Sequence, residues 1–116
     1  MKNFKQTVVK ALLPHIILNE AAQRPIHGYG VITLLRKTYG VYLGPGTVYP
    51  ALLSLEREGL VEAKWQAPTA DCGKPRKVYS LTVKGRMLLG QTAAELSVVT
   101  KAVEVKANGG FRGVNS

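Results

Sequence analysis

The chain has 116 residues, 46% of them hydrophobic, and carries 16 Lys and Arg against 7 Asp and Glu, a formal net charge of +9. That length and apolar content suit one folded domain and exclude both a multi-domain enzyme and a disordered chain. No uncharged apolar run approaches the roughly 18–20 residues of a membrane helix, and the lysine-bearing start shows no secretory signal.

One cysteine, Cys72, allows no internal disulfide and fits a reducing cytoplasm, the expected location. A compact domain this basic most often meets a polyanion, and nucleic acid is the first candidate. The charge is unevenly spread: residues 1–37 carry net +5, residues 38–73 net −2 and residues 74–116 net +6. The densest stretch, Lys74 to Arg86, holds Lys74, Arg76, Lys77, Lys84 and Arg86 with no acid. Such a run is either a solvated face or a phosphate-contacting element, and its flanks decide between them.

From Phe4 to Ala22, Val8, Val9, Leu12, Leu13, Ile16 and Ile17 recur at helical spacing. Pro14 lies inside that pattern and must kink the helix or divide it, because it lacks an N–H and clashes with the carbonyl four residues back. A second helix is predicted from about Tyr29 to Thr38, with Val31, Ile32, Leu35 and Tyr39 on one side and Gly40 as its stop. A third opens in Gly44-Pro45-Gly46-Thr47-Val48-Tyr49-Pro50 and ends at Gly59. Pro50 requires that this helix begin within a few residues before it.

Val48, Leu52 and Leu55 form the expected inward stripe of the third helix, leaving Thr47, Ala51, Ser54 and Arg57 outward. Small, uncharged residues at the N-terminal end let the helix approach something closely. Glu56 and Glu58 lie at the far end, away from any phosphate met by the first turns.

Leu60 to Trp65 and Lys77 to Thr82 flank the turn-rich stretch Ala67 to Pro75 and read as an antiparallel hairpin. Its tip and returning strand bear Lys74, Arg76 and Lys77. Thr82 is a plausible N-cap for a final helix running to about Ala107, with Leu89, Ala93, Leu96, Val99 and Val103 in a stripe. Residues 108–116 read as a flexible tail.

This order makes the chain mainly α with a small β hairpin: a winged helix-turn-helix (residues 1–82) with a long C-terminal dimerisation helix (83–107). The expected partners are double-stranded DNA and a second copy of the chain, with no membrane. Gly46, Thr47, Tyr49, Pro50, Ala51 and Ser54 on the third helix, with Lys74, Arg76 and Lys77 on the wing, are the candidate DNA-binding residues. Leu89, Leu96, Val99 and Val103 are the candidate dimerisation residues. Trp65 is expected to pack between wing and helix, and His15 and His27 to serve in core or capping positions. No zinc-ligand spacing, catalytic triad or carboxylate pair is evident, so no metal, cofactor or enzymatic role is expected.

Four ordered motifs carry a more specific likeness: His27-Gly28-Tyr29; Gly46-Thr47-Val48-Tyr49-Pro50-Ala51-Leu52; Leu55-Glu56 with Gly59-Leu60-Val61; and Pro75 to Thr82 with Gly85. Over roughly residues 8–100 the sequence resembles the PadR family of transcriptional regulators, in its smaller subclass with one C-terminal helix. The resemblance implies a winged-helix fold, a homodimer built by the terminal helices, and a palindromic operator, usually bound as a repressor. Gly30 stands where the family often has Glu, and Lys74 where its wing often has another Pro. Some small relatives bind flat aromatic drugs through a tryptophan on the last helix; residues 83–107 contain no aromatic residue, so a small-molecule effector lacks support here. A basic architectural DNA binder with little sequence preference is the alternative, and a winged-helix module for protein or RNA contacts a third.

Overall fold

The computed structural model describes residues 3–71 and 73–115, with side chains described through Val103 apart from Cys72. The backbone of residues 108–115, expected as a tail, instead continues the last helix, while their side chains and Ser116 lie outside the described part. Pro14 divides the first helical stretch in two: α1 spans Phe4–Ala11 and α2 spans Leu13–Ala21, with the proline in the opening turn of α2. Asn3 starts α1 by accepting the Gln6 N–H at its Oδ1, 2.9 Å away. Leu13, Ile17, Leu18 and Ala21 put the inner side of α2 into the core.

Helix α3 covers Gly28–Leu34 and continues as a π-helical turn over Leu35–Tyr39, a longer and wider ending than the single α-helix expected to Thr38. Gly40 closes it at φ 66°, a left-handed conformation that glycine adopts without a Cβ penalty. Val31, Ile32 and Leu35 are buried as their spacing predicts.

Helix α4 runs Pro45–Arg57 and buries Val48, Leu52 and Leu55, the expected stripe. Its start is five residues ahead of Pro50, so that proline sits in the second turn and leaves the Gly46 carbonyl without a helical donor. Gly46 is exposed, where water can satisfy that carbonyl.

Strands β1 (Val61–Gln66) and β2 (Arg76–Leu81) form an antiparallel hairpin, paired from Val61 with Leu81 to Gln66 with Arg76. A further pairing was not legible beforehand. Ile26, in the α2–α3 connection, exchanges both backbone hydrogen bonds with Tyr79 at 2.9 and 2.7 Å, which ties the wing to the helical core. Tyr79 itself is buried.

Thr82 then caps α5 (Val83–Asn115): its Oγ1 accepts the Gly85 N–H at 3.0 Å and donates to the Gly59 carbonyl at 2.6 Å. Nearby, Lys84 Nζ donates to the Glu58 carbonyl at the end of α4, 2.8 Å away. Helix α5 leans back on α2, where His15 and Thr92 share a hydrogen bond at 3.2 Å. Leu88 and Leu89 pack against the core, so Leu89 already has partners within its own chain. Val98, Val99 and Val103 remain 70%, 58% and 62% exposed.

Candidate nucleic-acid interface

The surface begins at the start of α4. Gly44 is extended, Pro45 presets the first helical turn, and the N–H groups of Thr47 and Val48 both reach the Gly44 carbonyl at 3.0 Å. Gly46, Tyr49, Pro50, Leu53, Ser54 and Arg57 are exposed along one side of the helix. Thr47 and Ala51 are half-buried, and Ala51 packs against the core. The outward stripe is thus turned from the expected one and includes Leu53. A Cβ on Gly46 would meet nothing within 4 Å, so the fold itself does not demand glycine there.

Gly28 is different. A Cβ there would overlap the Tyr49 ring, 2.5 Å from its Cζ and 2.9 Å from its hydroxyl oxygen. The missing side chain lets the Tyr49 ring lie flush on the first turn of α3, with its ring 45% exposed as a residue at the mouth of a groove. His27 caps the same turn, its Nδ1 accepting the Gly30 N–H at 3.1 Å. Burial, and then the nearby Arg76 charge, hold the His27 imidazole below its ordinary 6.5.

The wing forms the other wall. Arg76 Nε donates to Gln66 Oε1 across the strands at 3.1 Å. Lys77 bends toward α4 and meets Glu56 Oε1 at 3.1 Å, with its ammonium 5.7 Å from the centre of the Tyr79 ring. The hydrogen bond to Glu56 pushes the Lys77 pKa up, so the ammonium stays charged, and it is already partnered. Desolvation raises the Tyr79 phenol in the same corner. Lys74 is exposed near the tip of the hairpin.

Between α3, α4 and the wing lies a groove of about 860 Å³ whose lining includes Tyr29, Tyr49, Leu53, Trp65, Lys74 and Arg76. Trp65 corrects the sequence reading: it is 72% exposed and borders this groove instead of packing between wing and helix. Period-2 alternation puts Trp65 on the inner face of β1 with Val61 and Ala63. The strand has by then run past the edge of the core, so that inner face opens onto solvent. The sequence reading also missed Tyr29 and Leu53, 68% and 40% exposed. A tyrosine directly after the His27-Gly28 cap was the available signal. Leu53 offered none beyond its place in the helical period.

Of the remaining expectations, Leu96 is half-buried beside Leu12, His15 and Val99 in the cleft between α2 and α5. Among the described residues, no group of three or more His, Cys, Asp or Glu could hold a metal ion. Nor is any described helix long and apolar enough to cross a membrane.

Four helices, a tethered basic hairpin and a long closing helix define a winged helix-turn-helix protein with α4 in the recognition position. The sequence model of the transcriptional regulator PadR-like family matches residues 17–91. A transcriptional regulator of Mycobacterium tuberculosis, Rv3488, is 31% identical over 103 residues, 89% of each chain. The crystal structure of a PadR-like regulator from Bacillus cereus superposes with a TM-score of 0.74 at 28% identity, covering 84% of this chain and 93% of that one. A PadR-like transcription factor structure from Bacteroides fragilis gives 0.70 at 28% identity, covering 89% and 97%. The chain belongs to the PadR-like family of transcriptional regulators, and it is a DNA-binding regulator of transcription.

Proposed function

We propose that the chain represses transcription as a homodimer seated on a palindromic operator, in the cytoplasm where that DNA lies. The carrying observation is one arrangement. The exposed N-terminal half of α4 and the cations Lys74 and Arg76 share a face, while the far half of α5 leaves Val98, Val99 and Val103 uncovered. A helix start with a small-residue surface fits the major groove, and its dipole and unpaired N–H groups favour phosphate. Wing cations suit the backbone or minor groove. Two copies joined through α5 would present two such helices related by a two-fold axis, which an inverted-repeat site mirrors. Repression then needs only occupancy of the promoter.

In this reading Gly46, Thr47, Tyr49, Pro50 and Ser54 meet DNA from α4, with Lys74 and Arg76 from the wing, while Ala51 packs inward and Lys77 holds the wing on α4 through Glu56. Leu96, Val99 and Val103 join the two copies, and Leu89 supports their helix from within. No catalytic step and no cofactor is required. Band-shift titration against the DNA upstream of its own gene and against random duplex tests the function, with sedimentation giving the mass. A dimer that selects an inverted repeat from a random pool is the expected result; equal affinity for all duplexes would refute operator recognition.

The shortage of long polar side chains at the start of α4 favours one second reading, an architectural protein that binds DNA with little sequence preference. The same titration separates it from the first, because it predicts equal affinities.

A further inference from the structure

We infer that the groove between α3, α4 and the wing seats one sugar-phosphate strand of duplex DNA, and that Trp65 grips it through an uncharged contact of its indole with deoxyribose. This rests on the reading of the chain as a duplex-DNA binder and adds to it a residue and a mode of contact.

Trp65 is the chain's one tryptophan, and it stands 72% exposed, an apolar surface the fold does not use. Its position is fixed: it pairs across the hairpin with Lys77, and Lys77 is anchored to Glu56 on α4 at 3.1 Å. The indole therefore faces the same side as the recognition helix. Tyr29 and Tyr49 form the opposite aromatic wall, and Lys74 and Arg76 bring positive charge to the mouth. Among the described residues no carboxylate lines the groove, and Glu56, which Lys77 reaches from the lining, is paired with that ammonium.

An aromatic floor flanked by cations and free of uncompensated acid matches a nucleic-acid strand: phosphates take the charge and the sugar's carbon face takes the ring. A protein partner would have to desolvate Lys74 and Arg76 against a lining that holds no carboxylate among the described residues. Continuity with the exposed side of α4 makes the strand a duplex strand, because the duplex engaged by α4 passes the same wall.

The distinguishing property of such a contact is its indifference to salt. Loss of a phosphate contact shallows the slope of log K against log salt by about 0.9. An indole carries no charge and releases no counterion, so its loss should lower affinity at every salt concentration by the same factor.

The experiment uses the full chain and its single tryptophan emission. Titration with a random-sequence duplex should shield Trp65 from acrylamide and shift its emission. Trp65→Ala should weaken binding to that duplex about tenfold, equivalent to about 1.4 kcal/mol, with an unchanged salt slope. Trp65→Phe should retain most of the affinity. Arg76→Ala, by contrast, should reduce the slope. Circular dichroism would confirm that each variant folds.

If the wild-type chain binds duplex and Arg76→Ala weakens it, while Trp65 stays equally open to acrylamide and Trp65→Ala binds normally, the inference is overturned and the DNA-binding reading stands. A wild-type chain that binds no duplex overturns both. Loss of slope in Trp65→Ala would also overturn the inference, by showing that the indole acts through a neighbouring cation.

Discussion

Among the regions of this small molecule that expose large apolar side chains, two do so in different chemical company. Around the groove the exposed residues are mostly aromatic, Tyr29, Tyr49 and Trp65 beside Leu53, set among Lys74, Arg76 and Lys77. On the far half of α5 they are aliphatic, Val98, Val99 and Val103, on one long helix. Aromatic rings with polar edges beside cations suit a wet, charged partner such as DNA. β-branched side chains at helical spacing suit a dry partner of the same kind, and a second α5 is the simplest. Exposure alone would have treated these surfaces alike.

The sharpest way to break the contrast is to charge the aliphatic end. Val99→Asp combined with Val103→Asp should convert the proposed dimer to a monomer in sedimentation. These exposed positions are better probes than Leu96, which is half-buried beside Leu12 and His15. Operator affinity should fall by about 10²–10⁴-fold, the usual advantage of two linked sites over one. Random-duplex binding per chain should change far less. An unchanged mass would remove α5 from the interface.

The groove end breaks differently, through its packing. Gly28→Ala places a methyl group where the Tyr49 ring lies. Overpacking of this sort typically costs about 1–3 kcal/mol, read here as a lower urea midpoint, and DNA affinity should fall as Tyr49 is displaced. Removing the ring relieves the clash: Gly28→Ala with Tyr49→Ala should be more stable than additivity of the single variants allows. Strict additivity would mean that Tyr49 swings away at no cost.

A third change tests the charge of the groove without touching its shape. Glu56→Gln releases Lys77 from its carboxylate partner, so the ammonium can meet phosphate. Random-duplex affinity should rise and the salt slope steepen by up to about 0.9, one added phosphate contact. An unaltered slope would show that Lys77 serves only to hold the wing on α4.

Much of this organisation was legible in the sequence because it is local. Helical periods, Pro14, Gly40 and the Thr82 cap each act within a few residues, and the elements they imply are present, although α5 runs on to Asn115 past its expected end near Ala107. The π-helical turn at Leu35–Tyr39 was not legible, since nothing in its residue types distinguishes it from an α-helical end. The features missed at the site are long-range. Lys77 and Glu56 are 21 positions apart, Tyr49 meets Gly28 across two helices, and Ile26 finds Tyr79 across the whole recognition unit. Trp65 was misjudged because alternation says which face a side chain takes, not whether the core extends beneath it.

The smallest expected effect is a pH dependence confined to the groove end. His27 caps α3 as a neutral imidazole, its Nδ1 accepting the Gly30 N–H at 3.1 Å. Protonation would turn that acceptor into a donor and set a second positive charge near Arg76. Burial first and Arg76 second keep its folded-state pKa below the ordinary 6.5. Between those two values the unfolded chain binds more protons than the folded one, so stability rises with pH across that window. The His27 contribution is therefore complete above about pH 6.5 and is lost as pH falls through the lowered folded value. Thermal melts at about pH 7.5 and about pH 5 should show a drop in Tm for the wild type. His27→Asn keeps a capping oxygen that does not titrate, and its Tm should fall less over the same interval. His15, hydrogen-bonded to Thr92 between α2 and α5, is common to both proteins, so the comparison isolates His27. Equal drops in the two proteins would place the pH sensitivity elsewhere and leave His27 as a cap whose charge state the fold ignores.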